Sequence, residues 1–172
     1  RSLCDWSSDV CSSDLRLLRM GQDPATVRVV GSPAVDGLEE IGVLADADHA
    51  GLGAPRTLLL QHGTGLAPDV ERAWIESALE AATRHGPVLA LRPNADPGSD
   101  VVLEVLQDAA AREDVTLLDH LPRARFVACL RRMDAIVGNS SAGLIEAAIV
   151  GCPAVNLGPR QGGRERPGSV VD

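Results

Sequence analysis

The sequence has no lysine and no tyrosine, and its aromatic residues are limited to Trp6, Trp74 and Phe126. All sixteen basic side chains are therefore arginine. The absence of lysine excludes a P-loop lysine and a lysine that forms a Schiff base with a carbonyl substrate. The scarcity of aromatic rings predicts an aliphatic core and removes the platforms on which nucleic-acid bases usually stack.

Long apolar runs are also missing, since no stretch approaches the roughly 18 residues that a membrane-spanning helix needs. Hydrophobic residues make up 45% of the chain, a composition too apolar for a disordered protein. The length of 172 residues is sufficient for one ordinary domain. The net charge of −8 repels polyphosphate at long range. We therefore expect a cytoplasmic protein without a nucleic-acid or membrane partner, in which a local pocket can still bind a small anion.

The first fifteen residues, RSLCDWSSDVCSSDL, differ from the rest of the chain. They repeat a Ser-Ser-Asp unit and contain Cys4 and Cys11. Residues 4–15 back-translate into a string that resembles the end of a common sequencing adaptor. We therefore interpret residues 1–15 as a translated artefact, which implies that the natural coding sequence was cut at its 5′ end. The remaining cysteines, Cys129 and Cys152, complete no disulfide framework.

From residue 16 onward, short apolar runs alternate with stretches of helical spacing. The predicted strands are 27–30, 57–61, 88–91, 115–118, 134–137 and 154–157. The predicted helices are 69–84, 100–112, 124–132 and 141–150, with Ser99 as a candidate N-cap. Fully apolar strands separated by such helices are typical of a parallel sheet covered on both faces. The sequence thus predicts an α/β, Rossmann-like fold that binds its ligand at the carboxyl ends of the strands.

The segment GNSSAG, residues 138–143, carries the clearest sign of a ligand site. It lies between a predicted strand and a predicted helix, where free backbone N–H groups would meet the hydroxyls of Ser140 and Ser141. This pattern favours a phosphate cradle, although an ordinary N-capped helix has the same signature. Neither the Gly-x-Ser-x-Gly elbow of serine hydrolases nor the Gly-x-Gly-x-x-Gly dinucleotide fingerprint is present in this segment. We expect the serines to be ligands rather than nucleophiles.

Two charged residues follow the serines. Glu146 suits a ribose diol, from which a carboxylate can accept two hydrogen bonds. Arg160 lies in the loop GPRQGGR, residues 158–164, and its planar guanidinium can bind phosphate bidentately. A solvated basic loop is the alternative interpretation of that stretch.

Together these motifs resemble the second half of the hydrolysing UDP-N-acetylglucosamine 2-epimerases. The resemblance is carried by GNSSAGLIEAAIVGCPAVNLGPRQGGRER, RPNADPGSD and RVVGSPAVD, and it runs from about Met20 to Asp172. It implies a two-domain, glycosyltransferase-B-like architecture with the nucleotide-sugar in the cleft. On this basis, residues 16–50 are a remnant of the first domain and a linker. Residues 51–172 are a nucleotide-binding C-terminal Rossmann-like domain that is incomplete at its end.

The resemblance also assigns roles to individual residues. His62 would face the diphosphate and assist the departure of UDP. The expected nucleotide contacts are Asn94, the backbone of Leu121 beside the uracil, the phosphate-binding pair Ser140 and Ser141, the ribose ligand Glu146, and Arg160. The family usually has proline after this histidine, and we expect Gly63 to loosen the loop here. The other histidines, His49, His85 and His120, show no ligand spacing, so we predict neither a metal nor another cofactor.

The implied reaction eliminates UDP across C1–C2 to give a 2-acetamidoglucal, and water then adds to release N-acetylmannosamine for sialic-acid-type sugars. The carboxylates that remove the C2 proton belong mainly to the family's first domain, so we expect this chain alone to bind but not to turn over. A homodimer of the full-length protein fits the resemblance. Two alternatives stay open: the donor-binding half of a glycosyltransferase with the same architecture, and a stand-alone nucleotide-binding module. The sequence fixes neither UDP over GDP nor N-acetylglucosamine over a diacetamido relative.

Overall fold

The computed structural model describes residues 13–30, 32–111, 114–164 and 166–172. Its centre is a six-stranded sheet in which all adjacent strands are parallel. The strands are β1 (Thr57–Leu60), β2 (Val88–Leu91), β3 (Val115–Leu118), β4 (Ala135–Gly138), β5 (Ala154–Asn156) and β6 (Val170–Val171). Their order, β3-β2-β1-β4-β5-β6, is that of dinucleotide-binding Rossmann sheets. The predicted parallel α/β architecture is confirmed.

Helices cover both faces of the sheet. They are α1 (Ser13–Arg19), α2 (Asp46–Gly51), α3 (Pro68–His85), α4 (Ser99–Ala110), α5 (Arg123–Leu130) and α6 (Glu146–Val150). Helices α3 and α4 pack on one face, where Leu59 and Ile75 share an aliphatic cluster. Helices α5 and α6 pack on the other face, where Leu58 and Leu130 belong to a second cluster. Because successive side chains of a strand point to opposite faces, the buried leucines of β1 contribute to both cores.

The predicted elements of the core lie within two residues of the observed bounds. The exception is the helix predicted over residues 141–150, of which only Glu146–Val150 is α-helical. At the N-terminal end of α4, Ser99 is the first helical residue rather than the predicted cap. Gly98 occupies the cap position with a φ of 86°, in the left-handed region that glycine adopts without strain. Among the described residues, no helix is long and apolar enough to cross a membrane.

The strand predicted over residues 27–30 is wrong. These residues form no ladder, and Val29 and Val30 are 73% and 88% exposed. They lie between two short 3-10 turns, Pro24–Thr26 and Pro33–Val35. A β-branched run becomes a strand only when a neighbouring strand pairs with it, and local propensity carries no information on that partner.

The helix predicted over residues 141–150 is interrupted. A 3-10 turn, Ser141–Gly143, comes first, and α6 begins only at Glu146. The Ser140 hydroxyl oxygen accepts a hydrogen bond from the Ala142 N–H at 3.4 Å, so a local side-chain bond competes with regular helix formation. The two-residue strand β6 was not predicted, since so short a run has no detectable alternation.

Residues on the N-terminal side of the predicted boundary at residue 51 are attached to α5. Leu38 is completely buried, and the Leu44 N–H donates to the Ala128 carbonyl at 3.1 Å. The Arg131 and Arg132 guanidinium groups donate to the carbonyls of Leu38 and Leu44 at 3.3 and 3.1 Å. The division at residue 51 remains a prediction. The structure shows contacts that join residues before this boundary to residues after it.

Candidate functional site

The site lies at the carboxyl edge of the sheet, where the strand order reverses between β1 and β4. Open α/β sheets bind ligands in the crevice outside this point. The predicted residues follow five different strands: His62 follows β1, Asn94 follows β2, Leu121 follows β3, Ser140 follows β4, and Arg160 follows β5. The topology therefore brings residues that are up to 98 positions apart to one edge of the sheet.

Two cavities open along this edge. The first has a volume of about 400 Å³ and is lined by His62, Asn94, Leu121 and Ser140 together with further residues of β1, β2, α5 and the loops after β2 and β3. The second has a volume of about 320 Å³, and its wall includes Arg160. Ser141 and Glu146 line neither cavity, although both are half-buried nearby in the chain. The structure thus brings four of the seven predicted residues into one cavity and a fifth into its neighbour.

The His62 imidazole is buried and held in one orientation. Its Nδ1 accepts a hydrogen bond from the Asn94 backbone N–H at 3.1 Å, which leaves the proton of the neutral ring on Nε2. Burial lowers the pKa of His62, the Arg160 guanidinium lowers it further, and Asp96 opposes the change. The ring is therefore neutral at neutral pH and can donate a hydrogen bond from Nε2.

The expectation that Gly63 loosens this loop is wrong. A Cβ atom on Gly63 would lie 2.4 Å from the Pro97 carbonyl oxygen and 2.5 Å from the Ser99 nitrogen. The loop after β1 is thus in direct backbone contact with the loop after β2, and only a residue without a side chain fits between them. Glycine here permits close packing of the two loops.

A buried carboxylate fixes the rest of the same loop. Glu71 on α3 is completely buried, and its Oε1 accepts hydrogen bonds from the Thr64 N–H at 2.6 Å and the Thr64 hydroxyl at 2.7 Å. The Leu66 N–H adds a third, longer bond of 3.3 Å to the same oxygen. Thr64 and Leu66 form part of the wall of the second cavity, so Glu71 shapes that wall from behind.

The serine pair is arranged differently from the predicted cradle. The Ser140 side chain lines the first cavity and caps the 3-10 turn, while Ser141 is the first residue of that turn. The α-helix that follows has only five residues and begins five positions after Ser141. Any anion at Ser140 would thus be bound by hydroxyl and backbone groups of the turn, with little contribution from a helix dipole.

Arg123 joins Glu146 to the first cavity. Its Nη1 lies 3.9 Å from Glu146 Oε1, and Arg123 itself lines the cavity. The same guanidinium donates a hydrogen bond to the Ala34 carbonyl. The Glu146 side chain is only 19% exposed, so its carboxylate is held close to the cavity wall by a guanidinium that three elements share.

Arg160 forms an ion pair at the second cavity. Its Nη2 lies 3.0 Å from Asp96 Oδ2, and its Nη1 donates to the Asn139 carbonyl at 3.4 Å. The alternative interpretation, a solvated basic loop, does not describe Arg160. Its guanidinium forms an ion pair with the loop after β2 and a hydrogen bond with the residue that follows β4.

Sequence reasoning missed three residues of this site: Asp96, Arg123 and Asn139. Asp96 and Asn139 lie inside the motifs RPNADPGSD and GNSS that pointed to the site, so a signal was present for both. Arg123 lies in no motif, and its place in the site is evident only from its contact with Glu146 and its position in the cavity wall. Asn139 is completely buried, and its contacts are described below.

Among the described residues, the cysteines and other polar clusters form no second candidate site. Cys129 and Cys152 are buried, unpaired thiols, and burial raises the pKa of Cys152 to about 11. Cys4 and Cys11 lie outside the described residues. Within the described part of the chain, no group of three or more His, Cys, Asp and Glu side chains could hold a metal ion. A further groove of about 340 Å³ between α3 and α4 is lined by Glu76, Glu80 and Asp108, away from the strand ends.

Comparison with known proteins agrees with this geometry. A family model described as UDP-N-acetylglucosamine 2-epimerase matches residues 11–171. The UDP-N,N'-diacetylbacillosamine 2-epimerase (hydrolyzing) of Legionella pneumophila is 34% identical over 94% of this chain and 44% of its own length. The UDP-N-acetylglucosamine 2-epimerase of Neisseria meningitidis is 26% identical over 91% of this chain and 42% of its own length.

Solved structures show the same fold. The crystal structure of UDP-GlcNAc 2-epimerase from Neisseria meningitidis bound to UDP-GlcNAc superimposes with a TM-score of 0.59 at 18% identity, over 84% of this chain and 42% of that chain. The present chain thus spans less than half the length of each of these relatives. From the family match over nearly its whole length, the chain belongs to the UDP-N-acetylglucosamine 2-epimerase family.

Proposed function

We propose that this chain is the nucleotide-binding part of a hydrolysing UDP-N-acetylglucosamine 2-epimerase, which releases UDP and yields N-acetylmannosamine or a diacetamido analogue. The observation that carries the proposal is the cavity of about 400 Å³ at the reversal of strand order, lined by residues from four strand ends. Two relatives of the chain are named as 2-epimerases of UDP-linked N-acetylated sugars, and a related structure contains UDP-GlcNAc.

The charge of the first cavity supports an anionic ligand. Arg92, Arg123 and two imidazoles line it, whereas Asp119 is the only carboxylate among its lining residues. This local excess of cationic and donor groups occurs in a chain whose net charge is −8. A pocket of this kind attracts a nucleoside diphosphate that the rest of the surface repels.

The ligand would extend across the strand ends. The uracil lies beside the backbone of Leu121, and the ribose hydroxyls lie at Glu146. The diphosphate then lies between Ser140, His62 and Arg160, whose side chains face the two adjoining cavities. Asn94 serves this arrangement through its backbone N–H, which orients the His62 ring.

His62 stabilises the departing group in this proposal. Negative charge grows on the β-phosphate when the bond from C1 to the phosphate oxygen breaks. A neutral imidazole with its proton on Nε2 can donate a hydrogen bond to that oxygen as the charge develops. By resemblance to the family, the carboxylates for C2 deprotonation would lie mainly in the first domain. A UDP-sugar ligand, a cytoplasmic location and a homodimer of the full-length protein belong to the same proposal.

A binding experiment tests the nucleotide assignment. Isothermal titration calorimetry on the 172-residue chain should detect binding of UDP and, more weakly, of inorganic pyrophosphate. Glu146→Ala should weaken UDP binding about tenfold and leave pyrophosphate binding nearly unchanged, because the carboxylate contacts only the ribose. Ser141→Ala should weaken the binding of UDP and of pyrophosphate to a similar degree. This loss should be smaller than the loss of UDP binding in Glu146→Ala.

Glu76→Ala is the matched control, since it removes a carboxylate from the groove between α3 and α4. Equal losses for UDP and pyrophosphate in Glu146→Ala would reject the ribose assignment. Failure of the unaltered chain to bind either ligand would reject the proposed function. Release of N-acetylmannosamine by a full-length protein without any acceptor would separate an epimerase from a glycosyltransferase.

A further inference from the structure

The side chain of Asn139 bonds to the backbone of His62 in both directions. Its Oδ1 accepts from the His62 N–H at 2.7 Å, and its Nδ2 donates to the His62 carbonyl at 2.8 Å. The residue is completely buried. Only a carboxamide offers a donor and an acceptor in this fork, so aspartate could satisfy one of the two bonds and alanine neither.

These two bonds lie where the β1–β4 ladder ends. The last paired residues are Leu60 and Gly138, and a Cβ on Gly138 would lie 2.2 Å from the Leu60 carbonyl oxygen. Glycine, with a φ of 133°, therefore lets the two strand ends approach closely. The Asn139 side chain then satisfies the backbone groups of residue 62, which no longer have a strand partner.

The backbone of Asn139 links the same point to the loop after β5. Its carbonyl accepts from Gln161 Nε2 at 2.7 Å and from Arg160 Nη1 at 3.4 Å. Asn139 therefore contacts both His62 and Arg160, the two groups that adjoin the expected diphosphate position from different strands. Asn139 itself lines neither cavity, so it has no direct route to a ligand.

We propose that Asn139 is a positioning residue, which directs the His62 imidazole and the Arg160 guanidinium toward one shared anion. This inference rests on the proposed function for the identity of that anion as a diphosphate. The bond from the Asn94 N–H to His62 Nδ1 fixes the ring only if the backbone of residue 62 is itself held in place. Removing the Asn139 side chain frees that backbone, and the ring then loses its single orientation.

Nitrogen NMR of the chain labelled with ¹⁵N-histidine tests this inference without any ligand. In the unaltered chain near pH 7, His62 should show an unprotonated Nδ1 and a protonated Nε2. In Asn139→Ala, the two ring nitrogens should move toward the averaged shifts of a free imidazole, and affinity for inorganic pyrophosphate should fall about tenfold. Asn139→Asp should show an intermediate change.

Asn156→Ala is the matched control. Asn156 is a buried carboxamide on the neighbouring strand β5, and its Nδ2 donates to Asp172 rather than to His62 or Arg160. It should lower stability without changing the His62 signature. A folded Asn139→Ala chain with unchanged ring shifts would overturn the inference.

If Asn139→Ala does not fold, the unaltered chain still decides the question. The buried His62 N–H should exchange slowly with solvent because it is bonded to Asn139 Oδ1. Rapid exchange of this amide, or a mixture of ring tautomers in the unaltered chain, would overturn the inference. Absence of UDP binding with the expected ring shifts would instead reject the proposed function alone.

Discussion

Asp96 pairs with the guanidinium of Arg160 at the wall of the second cavity. The ion pair between them is 3.0 Å long and partly exposed. Sequence reasoning identified Arg160 because its loop has a recognisable pattern. It could not identify the pairing with Asp96, since the two residues lie 64 positions apart and meet only through the order of the strands.

Asp96→Asn should therefore tighten UDP binding. Asparagine keeps an oxygen that can accept from Arg160, but it removes a carboxylate that repels the diphosphate. We expect about a three- to tenfold lower Kd, which corresponds to roughly 1 kcal/mol. Calorimetry at two salt concentrations measures the change and its electrostatic origin.

The control is Asp46→Asn, which breaks an exposed ion pair with Arg132 and lines neither cavity. It should leave the Kd for UDP unchanged. Weaker UDP binding in Asp96→Asn would mean that Asp96 holds Arg160 in place for the ligand, contrary to the prediction.

At the scale of elements, the strands that the sequence predicts correctly include those that are buried along their whole length. Strands β1 and β2 are buried along their whole length, so an uninterrupted apolar run identifies each of them. Residues 27–30 contain three valines, but they also include Arg28 and have no neighbouring strand. Residues 141–150 have helical spacing, yet the 3-10 turn at the site breaks the helix. The errors thus arise where pairing or a local side-chain bond outweighs propensity.

The contact between the loops after β1 and β2 gives a prediction on stability. Gly63→Ala should lower the free energy of unfolding by about 1–3 kcal/mol, because the new Cβ would overlap the backbone of Pro97 and Ser99. Urea denaturation monitored by circular dichroism measures this difference.

Gly42→Ala is the control for the change in backbone entropy. Gly42 has no heavy atom within 4 Å of the position of a Cβ and no positive φ. Its substitution should leave stability unchanged or slightly raised. Equal stabilities for the two variants would show that the loops separate easily, and the tight packing around His62 would then be in doubt.

At the scale of the whole molecule, the sheet order accounts for what motifs alone could not give. The sequence analysis pointed to five residues that the strand order brings to the carboxyl edge of the sheet, namely His62, Asn94, Leu121, Ser140 and Arg160. The buried links between them, such as the two bonds from Asn139 to His62, join residues 77 positions apart and are not encoded in any local pattern. The sequence thus pointed to candidate site residues, whose roles stay predictions, whereas the contacts that hold these residues in place required the fold.

The purified 172-residue chain should bind UDP but not convert UDP-N-acetylglucosamine. UDP at a hundred times its Kd should add about 2.7 kcal/mol of stability, because it binds only the native state. At about 2–4 °C per kcal/mol for a chain of this size, the Tm should rise by roughly 5–10 °C. Turnover should be undetectable, since each missing acid or base costs about 10²–10⁴-fold.

Differential scanning fluorimetry measures the Tm, and proton NMR follows the release of UDP and N-acetylmannosamine. Glu146→Ala should reduce the rise in Tm. Turnover near one per second by this chain alone would place the catalytic carboxylates among the residues described here, against the expectation that the first domain supplies them.

Because β1 lies between β2 and β4 in the sheet, its two neighbouring strands are synthesised at very different times. Strand β1 pairs on one side with β2, which is synthesised soon afterward, but on the other side with β4. At about 5–20 residues per second, adding residues 61–138 takes roughly 4–16 s. During that interval one edge of β1, with its three consecutive leucines, has no native partner. The nascent chain therefore exposes one edge of the future middle of its sheet for several seconds.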